Sequence, residues 1–196
     1  MKQAKLFDYK EPVVLAELDF DNALALANEV KNQVSNYCER IDVVGSIRRQ
    51  RKRIHDVDFV VLASDASWLK IGEELKKLKA QTSCAGGVVI KALVPYRNIL
   101  FQVDFYRAKS ATFGINQLVR TGSADHNMWL ASYAISKGMR VKYSEGILKD
   151  GVVVAGETDE GVFAALELPC PMPKDREVID RKPIWLQAQL SEQRDT

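Results

Sequence analysis

The tightest constraint in this chain is a pair of aspartates, Asp56 and Asp58, at the start of an apolar run that extends to Leu62. The run Val57 to Leu62 is rich in β-branched residues and reads as a buried strand. Side chains two apart on a strand point to one face, about 6–7 Å apart along the chain. Two carboxylates held that way repel each other unless something neutralises them, which a divalent cation does well. Two-metal phosphoryl-transfer sites hold their ions about 3.5–4 Å apart, a span that such a pair can bridge. Alone, D-x-D equally describes a charged hairpin with a solvated rim. The flanking residues make the pattern more specific. Val43 and Val44 end an earlier apolar run, Gly45-Ser46 break it, and five of the seven residues Arg48 to Ile54 are Arg or Lys. The stretch Val43 to Leu62 thus reads as strand, tight turn, basic loop, strand.

A third carboxylate lies downstream. Asp104 sits between Val103 and Phe105 in the predicted strand Ile99 to Tyr106. A lone carboxylate in an apolar strand is costly unless paired or metal-bound, so Asp104 is the candidate third ligand, with a salt-bridged structural role as the alternative.

Around this centre the pattern predicts an α+β chain. Asp19 or Asp21 caps a helix whose stripe is Leu26, Val30, Val34 and Cys38, and Arg40 to Val44 is a strand. Ser64 or Ser67 starts a helix burying Trp68, Ile71, Leu75 and Leu78. Gln81 to Gly87 reads as a loop, Val88 to Val94 as a strand, and Pro95 to Asn98 as a turn. After Thr112 to Val119, a short helix, Ser123 caps a helix to Lys137 that Gly138 closes. Met139 to Tyr143, Gly146 to Leu148 and Val152 to Val154 read as strands of a small sheet. Thr158 caps a last helix, which Pro169, Pro171 and Pro173 stop. Lys174 to Glu177 reads as a charged turn and Pro183 to Leu190 as a short helix or a tail. Met1 to Glu17 shows no clear period. The chain divides near Tyr106 to Thr112.

At 196 residues the chain has room for one sizeable core or two small lobes. Its net charge of +2 makes it nearly neutral overall, so any nucleic-acid contact must come from local clustering, densest at Arg48 to Arg53. Cys38, Cys84 and Cys170 are scattered, which fits reduced thiols in a cytosolic setting better than a disulfide frame or a zinc site. No apolar run approaches the ~20 residues of a membrane span, and the N-terminus lacks a signal peptide's apolar segment.

The pattern G-S-x-R-R, a basic loop, then D-x-D resembles the nucleotidyltransferase superfamily, and most closely the family X DNA polymerases, the group of DNA polymerase beta. Further segments are similar to that family in the right order: Q-V-D at Gln102 to Asp104, Phe113 to Asn127, Lys137 to Met139, Ser144 to Ile147, Gly156 to Phe163 and Pro173 to Glu177. The likeness spans about Leu24 to Glu177. It implies a nucleotidyltransferase palm, a mixed or antiparallel sheet with helices on one side, over 1–108 and a small α+β thumb over 109–196. It implies DNA-directed nucleotide addition to a primer 3′-hydroxyl, with Asp56, Asp58 and Asp104 holding two Mg²⁺ ions, for which Mn²⁺ can substitute.

The same resemblance places Gly45, Ser46, Arg49, His55, Arg120, Thr121, Gly122, Ser123 and Asn127 at the nucleotide. Gly45 allows close backbone approach, Ser46 offers its hydroxyl and N–H to a phosphate oxygen, and Arg49 offers a planar fork. Arg48, Arg51, Lys52, Arg53, Met128 and Trp129 are the candidates for nucleic-acid contact. Trp129 has two readings, stacking on a base or helix-face core. His55 either meets phosphate or fills space. The partners implied are a primer-template DNA and a nucleoside triphosphate, with a monomeric, cytoplasmic protein and no membrane.

There are departures from the family pattern. Little room precedes the first helix for a lyase or fingers domain, which fits a minimal palm-plus-thumb form. Val119-Arg120 stands where the family has an aromatic pair that excludes the 2′-hydroxyl. A template-independent or ribonucleotide-adding enzyme is therefore one alternative, and an inactive nucleic-acid-binding module another.

Overall fold

The computed structural model describes residues 17–85 and 87–186. Two lobes follow one another along the chain, each with its own apolar core. The first lobe begins with β1 (Leu18–Asp19) and α1 (Phe20–Val34). Asp19 caps α1 by accepting the Asn22 N–H, and the apolar stripe Ala23, Leu26, Ala27, Val30 and Val34 is buried. Then come β2 (Arg40–Val43), a single helical turn α2 (Gly45–Arg48), β3 (Arg53–Ile54) and β4 (Asp56–Leu62). Next is α3 (Asp65–Lys77), capped by Ser64 and burying Trp68, Ile71 and Leu75. Three strands complete the lobe: β5 (Gln81–Ala85), β6 (Val89–Tyr96) and β7 (Ile99–Ala108).

The five-stranded sheet runs in the order β2-β4-β7-β6-β5. Only the β4–β7 pair is parallel; the other three pairings are antiparallel. The pleat sorts the side chains of β4. Val57, Phe59 and Val61 join the main core with α1 and α3, and Phe59 stacks on its cross-strand partner Phe105 at 5.0 Å between ring centres. Asp56, Asp58 and Val60 face the other way, where Val60 packs with Val44, Ala108 and Phe113.

The second lobe comprises α4 (Phe113–Thr121), α5 (Ala124–Ser136), the hairpin strands β8 (Met139–Lys142), β9 (Gly146–Lys149) and β10 (Val152–Ala155), and α6 (Asp159–Ala165). Its core gathers Ile115, Leu118, Leu130, Ala134, Ile147, Val162, Phe163, Leu166 and Trp185. Gly114 lets α4 approach the backbone of Thr158, because a Cβ there would collide with it. A final pair, β11 (Val178–Ile179) and β12 (Lys182–Pro183), closes the described chain.

Several segments differ from the sequence reading. Gln81–Ala85 is an edge strand rather than a loop. Its backbone is recruited by the long strand β6, although its side chains show no apolar alternation. Gly45–Arg48 closes as a helical turn because Arg48 and Arg49 donate their backbone N–H groups to Val44 and Gly45. The Pro95-Tyr96 half of the predicted turn belongs to β6, leaving Arg97-Asn98 at the bend. The turn at Lys174 to Glu177 is not solvated throughout: Arg176 is 1% exposed. Residues 1–16 and the far end of the predicted last helix lie outside the described residues, as does the side chain of Cys84. Cys38 and Cys170 are free thiols. No helix among the described residues is long and apolar enough to cross a membrane.

Candidate active site

The parallel register of β4 and β7 places Asp58 directly beside Asp104, and Asp56 beside Gln102. Aligned residues on neighbouring strands share a face, so the three carboxylates converge on one side of the sheet. Their proximity shows in their acidity. Burial first, then the charges of Asp56 and Asp104, push the Asp58 carboxyl up to about 7. Asp56 is raised as well, by burial and then by Asp104.

Asp104 is 1% exposed. Its Oδ2 accepts from Gln102 Nε2 at 3.1 Å and from the Tyr106 hydroxyl at 3.2 Å, and lies 3.3 Å from Lys91 Nζ, contributed by β6. Its Oδ1 is buried with no partner. A buried anionic oxygen without a partner costs more than a lost hydrogen bond, and a cation is the economical remedy. The donor set, three carboxylates on one face, suits a hard divalent ion such as Mg²⁺. As they stand, no three acidic, histidine or cysteine side chains among the described residues are drawn together closely enough to cage an ion. Lys91 is the charge that neutralises Asp104 here.

The turn at Gly45 sits against this group. Gly45 has φ +63°, and a Cβ there would run into the Asp58 carboxylate. The Ser46 hydroxyl is buried without a partner. Arg48 and Arg49 both point to the second lobe. Arg48 Nη1 donates to Thr121 Oγ1 at 2.8 Å and its Nη2 pairs with buried Asp159 at 2.9 Å. Arg49 Nη1 donates to the Thr121 carbonyl, and its Nε donates to Glu177 Oε1 at 3.1 Å. Arg48, grouped above with the nucleic-acid contacts, is thus tied into the joint between the lobes. Its partner Asp159 is claimed again by Arg176 at 2.8 Å, so the acid bridges two guanidinium groups.

Thr121, Gly122 and Ser123 form the turn between α4 and α5; the Gly122–Ser123 peptide is cis and Gly122 has φ +75°. Ser123 caps α5 by accepting the His126 N–H. Asn127 Nδ2 donates to the Val119 carbonyl at 2.7 Å, while its Oδ1 is buried and unpaired. Arg120 stacks on the Tyr106 ring at 3.7 Å, and its charge opposes the upward push on the Asp58 carboxyl. Arg51 and Lys52, before β3, and Arg53, on β3, are exposed, with Arg51 near Glu177 and Arg53 near Glu17. His55 is also exposed, 3.6 Å from Glu17. Met128 is exposed. Trp129 is partly buried and packs against the second core, stacking on Tyr133 and meeting Trp185 edge-on.

Sequence reasoning passed over Lys91, Gln102, Tyr106 and Glu177 as site residues. Gln102 and Tyr106 carried a usable signal, since they lie two residues either side of Asp104 and must share its face. Lys91 and Glu177 carried none, because each reaches the site from a strand or turn distant in sequence.

Residues 117–177 match the family model of the DNA polymerase beta thumb. Among solved structures, the chain is similar to Leishmania infantum polymerase beta in a ternary P/T complex, with a TM-score of 0.73 at 20% identity, over 83% of this chain and 77% of that one. No curated protein matches the chain. The chain therefore shares the fold of a polymerase beta structure. Within it, residues 117–177 are similar to the thumb of that family.

Proposed function

We propose that the chain is a DNA-directed DNA polymerase that joins a nucleotide to a primer 3′-hydroxyl, with a palm over 1–108, a thumb over 109–196, and a role in gap filling or repair. The observation that carries this reading is the register of Asp58 on Asp104, with one Asp104 oxygen buried and unpaired. Asp56, Asp58 and Asp104 would hold two Mg²⁺ ions. When bound, such ions lower the pKa of an attacking hydroxyl and offset charge on the leaving pyrophosphate. The rest of the chemistry is alignment. Gly45 keeps the backbone low beside Asp58, so that a phosphate can lie against the turn. Ser46 offers its unpaired hydroxyl, and Arg49 its guanidinium, to the triphosphate. The Asp104 carboxylate accepts the proton of the attacking hydroxyl, and Asn127 faces the base. Exposed Arg51, Lys52 and Arg53 meet the DNA backbone.

Primer extension with Mg²⁺ on gapped duplex, on single strand and with ribonucleotides tests this. Extension only on the templated substrates supports it, and no extension on any substrate ends it. A second reading, weak discrimination between ribo- and deoxyribonucleotides, draws on Arg120, which lies over Tyr106 where an aromatic sugar gate would stand. Incorporation rates for the two sugars that differ by about a thousandfold or more would refute it.

A further inference from the structure

The guanidinium assigned to the triphosphate is already holding an anion. Arg49 Nε donates to Glu177 Oε1 at 3.1 Å, and Arg51 Nη2 lies 3.3 Å from the same oxygen. Arg49 is 16% exposed and Glu177 19%, so the pair is sheltered without being sealed. To a guanidinium fork a carboxylate and a phosphate oxygen are interchangeable partners. We propose that Glu177 is an internal competitor for the triphosphate: it occupies Arg49 in the free protein, and a triphosphate oxygen takes Arg49 by displacing it. Glu177 thereby sets how tightly the site takes its substrate. The exchange rests on the reading of Arg49 as a triphosphate ligand.

Two features keep the exchange local. Arg51 already shares the Glu177 oxygen, so the carboxylate stays charge-paired when Arg49 leaves. Arg48 keeps its bonds to Thr121 Oγ1 and Asp159, so the lobes stay joined. What is given up is the largely buried Arg49–Glu177 pair and the Arg49 bond to the Thr121 carbonyl. A triphosphate oxygen offers Arg49 a charge-assisted bond of the same kind with more negative charge behind it, which leaves the carboxylate displaceable.

The test is calorimetric titration of the full chain with inorganic tripolyphosphate, and with dATP in the presence of Mg²⁺, for wild type, Glu177→Gln, Glu177→Asp and Arg49→Gln. Asp keeps the charge but is one methylene too short to hold Arg49 in the same way. Both Glu177 variants should bind roughly fivefold tighter than wild type, and Arg49→Gln more weakly. Tightening in Glu177→Gln alone would reduce the effect to general repulsion and overturn the competition. Unchanged or weaker binding in both, with unfolding midpoints like wild type, would make Glu177 a support for Arg49 and overturn it as well. Wild-type affinity in Arg49→Gln would instead remove Arg49 from the triphosphate, a failure of the underlying reading that the Glu177 variants would not produce.

Discussion

Asp104 brings together two opposing demands. It is buried, it faces two other carboxylates, and only one of its oxygens has partners. Removing it relieves repulsion on Asp56 and Asp58, while Lys91, which is nearly half exposed, can turn to water. Asp104→Ala should therefore abolish primer extension without lowering the melting temperature of the metal-free chain. Added Mg²⁺ should raise that temperature in wild type but not in the variant, read by a thermal melt with and without the ion. His126 presents a separate residue-scale effect. It is fully buried, and burial, then the Arg176 charge, lowers its pKa to about 4. The unfolded chain binds this proton from about pH 6.5 downward, but the folded chain resists until about 4, so stability falls as pH drops through that window. Asp58, raised to about 7, works in the opposite direction over the same range, since its folded state holds the proton more tightly than the unfolded one. The difference between wild type and His126→Gln isolates the histidine. The wild-type urea midpoint should lose more than the variant's between pH 7 and pH 5.

At the scale of elements, the decisive contact is that of α2 with α4 and α6. A four-residue helical turn cannot hold its place by its own hydrogen bonds, and it is fixed by what its two arginines grasp. Asp159 is the anchor, 2% exposed and shared between Arg48 and Arg176. Asp159→Ala strands Arg176, itself 1% exposed, and should cost about 3–5 kcal/mol of unfolding free energy in urea. Arg48→Ala should cost less, because Arg48 is partly open to water and Asp159 keeps its other partner. A larger loss from Arg48→Ala than from Asp159→Ala would refute this order.

At the scale of the molecule, the chain is nearly neutral, so the DNA affinity proposed for it must come from where its cations stand rather than from their sum. Arg48 and Arg49 are consumed at the lobe joint, whereas Arg51, Lys52 and Arg53 remain on the surface. Binding to duplex DNA with a gap should weaken steeply with salt. Lys52→Ala and Arg53→Ala should each lower the slope of log K against log salt by about one, measured by fluorescence anisotropy. An unchanged slope in both would move the DNA to another face.

Much of this protein could be read from the residue order alone. The caps at Ser123 and Thr158, most of the periodic stripes of α1 and α3, and the Asp56–Asp58 pair on one face follow from spacings of two to four residues, whereas the structure chose Asp19 over Asp21 and Ser64 over Ser67 and ended α1 at Val34, short of Cys38. The tertiary structure alone decided what meets across long separations. The register of β7 on β4 brought Asp104 to Asp58, the edge position turned Gln81–Ala85 into a strand, and the approach of the second lobe gave Arg49 to Glu177 and buried Arg176. Such pairings depend on how whole elements pack, and no local period in the sequence encodes the partner that packing will supply.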